Sequence, residues 1–144
     1  MTQTFLVPLS RIPLDLAQVQ SAIIQGLGEF GHIAPAIWYQ TSKSGTHALE
    51  EGDVQVQGRS PEDACRVAFY GLDIGAREPA ESDLAYMASV SKPGSLWFAG
   101  AIAFGLAMTF GGRVVYDDSH IFGSADFYTV GDLRRALDEG SPGK

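Results

Sequence analysis

The densest polar cluster in the chain is Tyr116-Asp117-Asp118-Ser119-His120, with Asp126 close behind. Paired carboxylates beside a histidine at the end of a strand have the chemistry to hold a divalent metal or to divide acid and base roles. Successive strand residues point to opposite faces, however, so Asp117 and Asp118 need not converge. No H-x-x-x-H or similar ligand spacing accompanies them. A solvated turn is the plainer reading, and a small hydrolase or metal-dependent enzyme using Asp117, Asp118 and His120 is the alternative that the cluster keeps open. Cys65 is the only cysteine, with His32, His47 and His120 as conceivable bases. It lies in a strand pattern where a lone cysteine is ordinarily a small buried hydrophobe. There is no G-x-S-x-G elbow. Nucleophilic catalysis finds no assembled partner, and the chain reads as a non-enzyme.

Gly26-Leu-Gly-Glu-Phe-Gly31 matches the dinucleotide pattern G-x-G-x-x-G. That chemistry needs a strand before the glycines and a helix opening after them, so that backbone amides meet the pyrophosphate. Here the glycines close a helix instead. The expectation is a helix C-terminus and a turn, with no cofactor.

Positioning elements follow from spacing. Residues 4–9 read as a strand, with Pro8 near its end. Asp15 and Gln18 form a capping box, and Leu16, Val19, Ile23, Leu27 and Phe30 then recur at helical spacing. Residues 33–40, 53–57, 65–72, 84–90 and 113–117 read as further strands, separated by polar loops at 41–52 and 73–83. Trp38 and Tyr39 are adjacent on a strand, so one ring faces away from what the other packs on. Ser95 caps a very apolar helix over 96–110, which Gly111-Gly112 stops. At fifteen residues it spans roughly 22 Å, short of the ~30 Å a bilayer core demands, so a buried core helix is expected. Residues 119–127 read as irregular. Thr129 and Asp132 cap a short last helix through Val130, Leu133 and Leu137. The order implies one α+β domain over 1–139, with a frayed tail over 140–144. The fold expected is a ferredoxin-like sandwich. Its antiparallel or mixed sheet has about five to six strands, with two main helices on one face and a short C-terminal helix.

Composition narrows the function. The chain has 144 residues and a net charge of −7, with ten Lys and Arg scattered along it. Nucleic acid needs clustered cations, so it is excluded as a partner. A single cysteine and an N-terminus without a basic segment before an apolar run point to the cytoplasm and to no membrane anchor. An acidic surface would speed encounter with a basic protein.

The stretch Ser95-Leu-Trp-Phe-Ala-Gly-Ala-Ile-Ala-Phe-Gly-Leu-Ala-Met-Thr-Phe-Gly-Gly-Arg-Val-Val-Tyr-Asp-Asp-Ser119 resembles the C-terminal helix–strand unit of small bacterial immunity proteins. Those are the cognate inhibitors of polymorphic, type VI-delivered or contact-dependent toxins. The similarity covers about twenty-five residues, a pattern that also suits any helix packed on a sheet. It implies a non-catalytic inhibitor that binds a protein toxin, with a basic toxin as the natural complement. On that reading the contact carboxylates are Glu50, Glu51, Asp53, Glu78, Glu81, Asp83, Asp117 and Asp118, supported by exposed aromatics. A ferredoxin-like ligand-binding or oligomerisation module, using the sheet face or a sheet edge, is the third reading.

Overall fold

Alternation and side-chain caps produce ten elements in the computed structural model, which describes residues 4–11, 13, 15–31, 36–41, 52–59, 61–71, 83–91, 95–117 and 127–139. In chain order they are β1 (Thr4–Leu9), α1 (Leu16–Gly28), β2 (Ala36–Thr41), β3 (Gly52–Gln57), β4 (Ala64–Gly71), β5 (Tyr86–Ser91), α2 (Leu96–Thr109), β6 (Val114–Asp117), β7 (Phe127–Thr129) and α3 (Val130–Glu139).

Each helix starts where a short polar side chain satisfies an orphan amide. Asp15 accepts from the N–H of Gln18 at 3.0 Å, Ser95 from that of Phe98 at 3.2 Å, and Thr129 from that of Asp132 at 3.2 Å. At the far end of α2, Gly111 turns left-handed at φ +77° and the N–H of Gly112 donates to the carbonyl of Ala107 at 2.8 Å. This is the Schellman closure that Gly-Gly promises. No helix among the described residues is long and apolar enough to cross a membrane.

The strands form one antiparallel sheet ordered β2-β3-β4-β5-β1-β6-β7. Strands β2 to β5 run as a meander, whereas α1 and α2 are crossovers. The second crossover carries the chain from β5 over β1 to β6. The sheet has seven strands, more than the five to six expected, and all its pairings are antiparallel. The added strand is β7, at the end of a stretch read as irregular. Its three residues are too few to show alternation, and only pairing with β6 defines them (Val115 opposite Tyr128, Tyr116 opposite Phe127).

One face of the sheet carries Phe5, Val7, Val54, Val56, Cys65, Val67, Phe69, Ala88, Val90 and Val115, all buried. Registers confirm a common face: Val54 stands opposite Val67, Val67 opposite Val90, and Val90 opposite Phe5. The helices cover this face. Helix α2 lies against β1, β4, β5 and β6, with α1 and α3 on either side of it. Every residue of α2 from Trp97 to Ala107 is buried, as its small-residue content predicts. Phe30 wedges edge-on against Trp97 and Phe104 at centroid distances of 5.5 and 5.6 Å, closing one end of the α1–α2 interface.

Candidate functional site

Of the carboxylates singled out from the sequence, Asp53, Asp83 and Asp117 are described, and they sit on or beside three different strands. Glu50, Glu51, Glu78, Glu81, Asp118 and His120 lie outside the described residues, as do His32, His47 and Asp126. Asp53 is in β3, opposite Gln40 and Ala68. Asp83 precedes β5, is exposed, and pairs with Arg113. Both members of that pair are in solvent, so it contributes only about 0–1 kcal/mol. Asp117 is in β6, four strand steps from β3, or roughly 19 Å.

Asp117 differs from the expectation of an exposed contact. It is 1% exposed, the one buried charged side chain among the described residues. The reason is parity. Val115 faces the helices, and Asp117, two residues on, faces them too. Its negative charge adds to burial in raising the phenol pKa of Tyr128 on the neighbouring strand. Among the described residues, no group of three or more His, Cys, Asp or Glu is placed to hold a metal.

Cys65 points into the core, where burial pushes its thiol up to about 12. In the folded protein the thiolate nucleophile is therefore nearly absent at neutral pH. A thiol reagent at pH 8 is expected to label Cys65 only at the rate of unfolding, so rapid stoichiometric labelling of native protein would contradict this placement. The linkage has a defined sign. The unfolded thiol ionises near pH 9.0 and the folded one near 12, so this stabilisation is complete below pH 9 and is lost as pH rises through 12.

The glycine motif serves packing. A Cβ on Gly26 would stand 2.7 Å from Gly105 Cα and 2.9 Å from the Ala101 carbonyl oxygen, so α1 meets α2 backbone to backbone. Gly31, at φ +75°, lies in the turn that follows the end of α1 at Gly28. A cleft of about 350 Å³ between the start of α1 and the end of α2 is lined by Arg11, Asp15, Gln18, Ser21, Thr109 and Phe110 among others. Arg11 donates to the Thr109 carbonyl at 2.6 Å and sits 5.7 Å from the centre of the Phe110 ring. That places a cation where the α2 dipole is negative, which is helix-end chemistry.

The opposite face of the sheet bears no described helix and has a different character. In β4, Cys65, Val67 and Phe69 point to the helices, while Arg66, Ala68 and Tyr70 point away. Trp38 (46% exposed), Tyr70 (39%) and Phe127 (52%) are large rings in solvent on this face. Register connects them to partly buried neighbours: Tyr70 to Met87, and Phe127 to Tyr116, whose rings lie 6.0 Å apart, and onward to Leu6. Trp38 is thus an outward ring on β2. Tyr70 and Phe127 were not singled out from the sequence, although the in–out alternation of β4 marked Tyr70. An arrangement of exposed rings on a stiff sheet suits a protein contact, where rigid aromatics supply area at small entropic cost. No protein-family model matches the chain, and no curated protein and no solved structure matches it.

Proposed function

We propose that this chain is a non-catalytic, cytoplasmic immunity protein that neutralises a cognate bacterial toxin by covering its surface with the helix-free face of the sheet. The carrying observation is the exposure of Trp38, Tyr70 and Phe127 on that one face. Aromatics of this kind are the usual anchors of protein interfaces. The occupant is a basic protein, because a chain of net charge −7 attracts a cationic surface and repels an acidic one. The strand order β4-β5-β1-β6 with its two crossovers reads as a ferredoxin-like core, extended by the β2–β3 hairpin at one end and by β7 and α3 at the other. The α2–β6 unit is the part that resembles immunity proteins.

Co-expression with the product of the adjacent upstream gene tests the proposal. Rescue from killing is expected, together with a complex that survives size-exclusion chromatography and associates more slowly as salt rises. Alanine at Trp38, Tyr70 or Phe127 leaves the fold intact and, at an anchor position, weakens the complex by about 2 kcal/mol or more. A harmless neighbour, or full affinity in the triple alanine variant, would refute the assignment.

A further inference from the structure

On the helix side of the molecule, α1 presents solvent with a face that carries no charge. Its exposed positions are Ala17, Gln18, Ser21, Ile24, Gln25 and Gly28. Helix α3 shows the ordinary pattern instead: four of its five exposed residues are charged, namely Asp132, Arg134, Arg135 and Glu139. On the neutral face Ile24 is 44% exposed, and Met108, in the last turn of α2 that adjoins α1, is 38% exposed. Charge begins only beyond the ends of α1, at Asp15 and Glu29, and Glu29 is paired with Arg134 at 3.1 Å. Gly28 weakens the helix, yet its φ is not left-handed and a Cβ there would meet nothing within 4 Å. Its small size serves no contact among the described residues, and it leaves room for a second backbone to approach.

We propose that two copies of this chain associate through this face, the Ile24 of each copy entering the α1–α2 cleft of the other. Charge selects the occupant. Two chains of net charge −7 repel each other over most of their surface and meet without like charges in contact only where charge is missing. A basic protein is drawn to carboxylates, which this face lacks. Absence of charge together with an exposed methionine is also the composition of interface centres. Shape agrees. A twofold contact is self-complementary, so one surface must hold both the projection and the recess. Ile24 is the projection, and the cleft of about 350 Å³ between the start of α1 and the end of α2 is the recess. The two charges lining that cleft, Arg11 and Asp15, are of opposite sign, so the recess is neutral as well. Ser21 lines it and precedes Ile24 by three residues, or roughly 5 Å along the helix. The twofold axis therefore passes close to Ser21. A face about 20 Å long suits a reversible dimer at the small end of specific interfaces. The rings of Trp38, Tyr70 and Phe127 lie on the other side of the sheet and stay open in this dimer, so the inference does not depend on the toxin reading.

Sedimentation equilibrium of the whole chain, from about 10 μM to about 1 mM, tests the dimer. The average mass is expected to rise towards twice that of the monomer. Ser21→Glu sets like charges beside the axis and should weaken association about tenfold or more. Ser21→Lys should do the same by itself. An equimolar mixture of the two variants should associate at least as well as the unaltered chain, because opposite charges then meet, and misfolded variants could not give that recovery. Ile24→Gln removes the projection and should weaken association about fivefold. A monomer at every concentration overturns the proposal. So does a dimer that neither Ser21→Glu nor Ile24→Gln weakens, or a mixture no better than either charge variant alone. A dimer that Trp38→Ala dissolves would place the contact on the sheet face and overturn it too. If the chain stays monomeric and Ser21→Glu weakens the toxin complex, α1 meets that partner and the second copy is discarded. Absence of toxin rescue leaves the dimer standing, since no toxin enters the measurement.

Discussion

Gly105→Ala is expected to lower stability by about 3 kcal/mol, the upper end of what overpacking a well-filled core costs. A Cβ at this position would collide with the Ala22 carbonyl oxygen and lie 3.0 Å from Gly26 Cα and 3.2 Å from Gly26 N. All three atoms are backbone, so no side chain can swing aside, and the helices must part. Parting α1 from α2 loosens the contacts that bury Val19, Ala22, Ile23 and Leu27. Gly28→Ala is the control. Its Cβ meets nothing within 4 Å, and in a helix alanine is better than glycine by up to about 1 kcal/mol. Urea midpoints decide the matter. The backbone-contact account fails if the two variants shift the midpoint equally, or if Gly105→Ala does not lower it.

Trp97→Ala should cost about 3–5 kcal/mol, as large aromatic deletions in cores do. The ring is 7% exposed and packs against Phe30, while its indole N–H donates to the Leu137 carbonyl at 2.8 Å. That bond ties the end of α3 to the start of α2 and satisfies a carbonyl in the last turn of α3. Trp97→Phe separates the two contributions. It keeps most of the packing and loses the bond, for about 1–3 kcal/mol including the carbonyl left unsatisfied. Amide exchange near Leu137 should then accelerate more than exchange in β4 or β5. Uniform acceleration across the sheet would mean that Trp97 acts by packing alone.

What could be read from the sequence was local. The three caps at Asp15, Ser95 and Thr129 each involve residues three apart, so the pattern and the structure describe the same event. The in–out rhythm of β4 is also local, and it separates Cys65 from Arg66 without reference to other strands. Contacts between distant segments left no such trace. The close approach of Gly26 to Gly105 joins two helices far apart in the chain, and the same letters fit a nucleotide motif, a helix end or a packing notch. Strand β7 exists because Tyr116 faces Phe127, which three residues of sequence cannot announce. Asp117 and Asp118 read as a pair leaving a strand, but the informative relation is the parity of Asp117 with Val115. The face of the sheet that carries Trp38, Gln55 and Arg66 was partly visible as alternation. Their alignment into one row, Trp38 opposite Gln55 and Gln55 opposite Arg66, needed the register of three strands.

Strand β1 is the first element in the chain, yet it sits inside the sheet between β5 and β6. Phe5 pairs with Val90 on one side and Asp117 on the other, so both partners are translated long after it. A growing chain therefore carries Phe5, Val7 and Leu9 out of the ribosome with both ladder edges open. The β2–β5 meander can form meanwhile from near neighbours, but it cannot recruit β1 until β5 has emerged. Folding of this kind is slow, because a large loop must close before its contacts stabilise it. During that delay the exposed apolar strand is open to non-native pairing or to a chaperone. A circular permutant that starts at α1 would place β1 after α3, so that both of its ladder partners emerge before it.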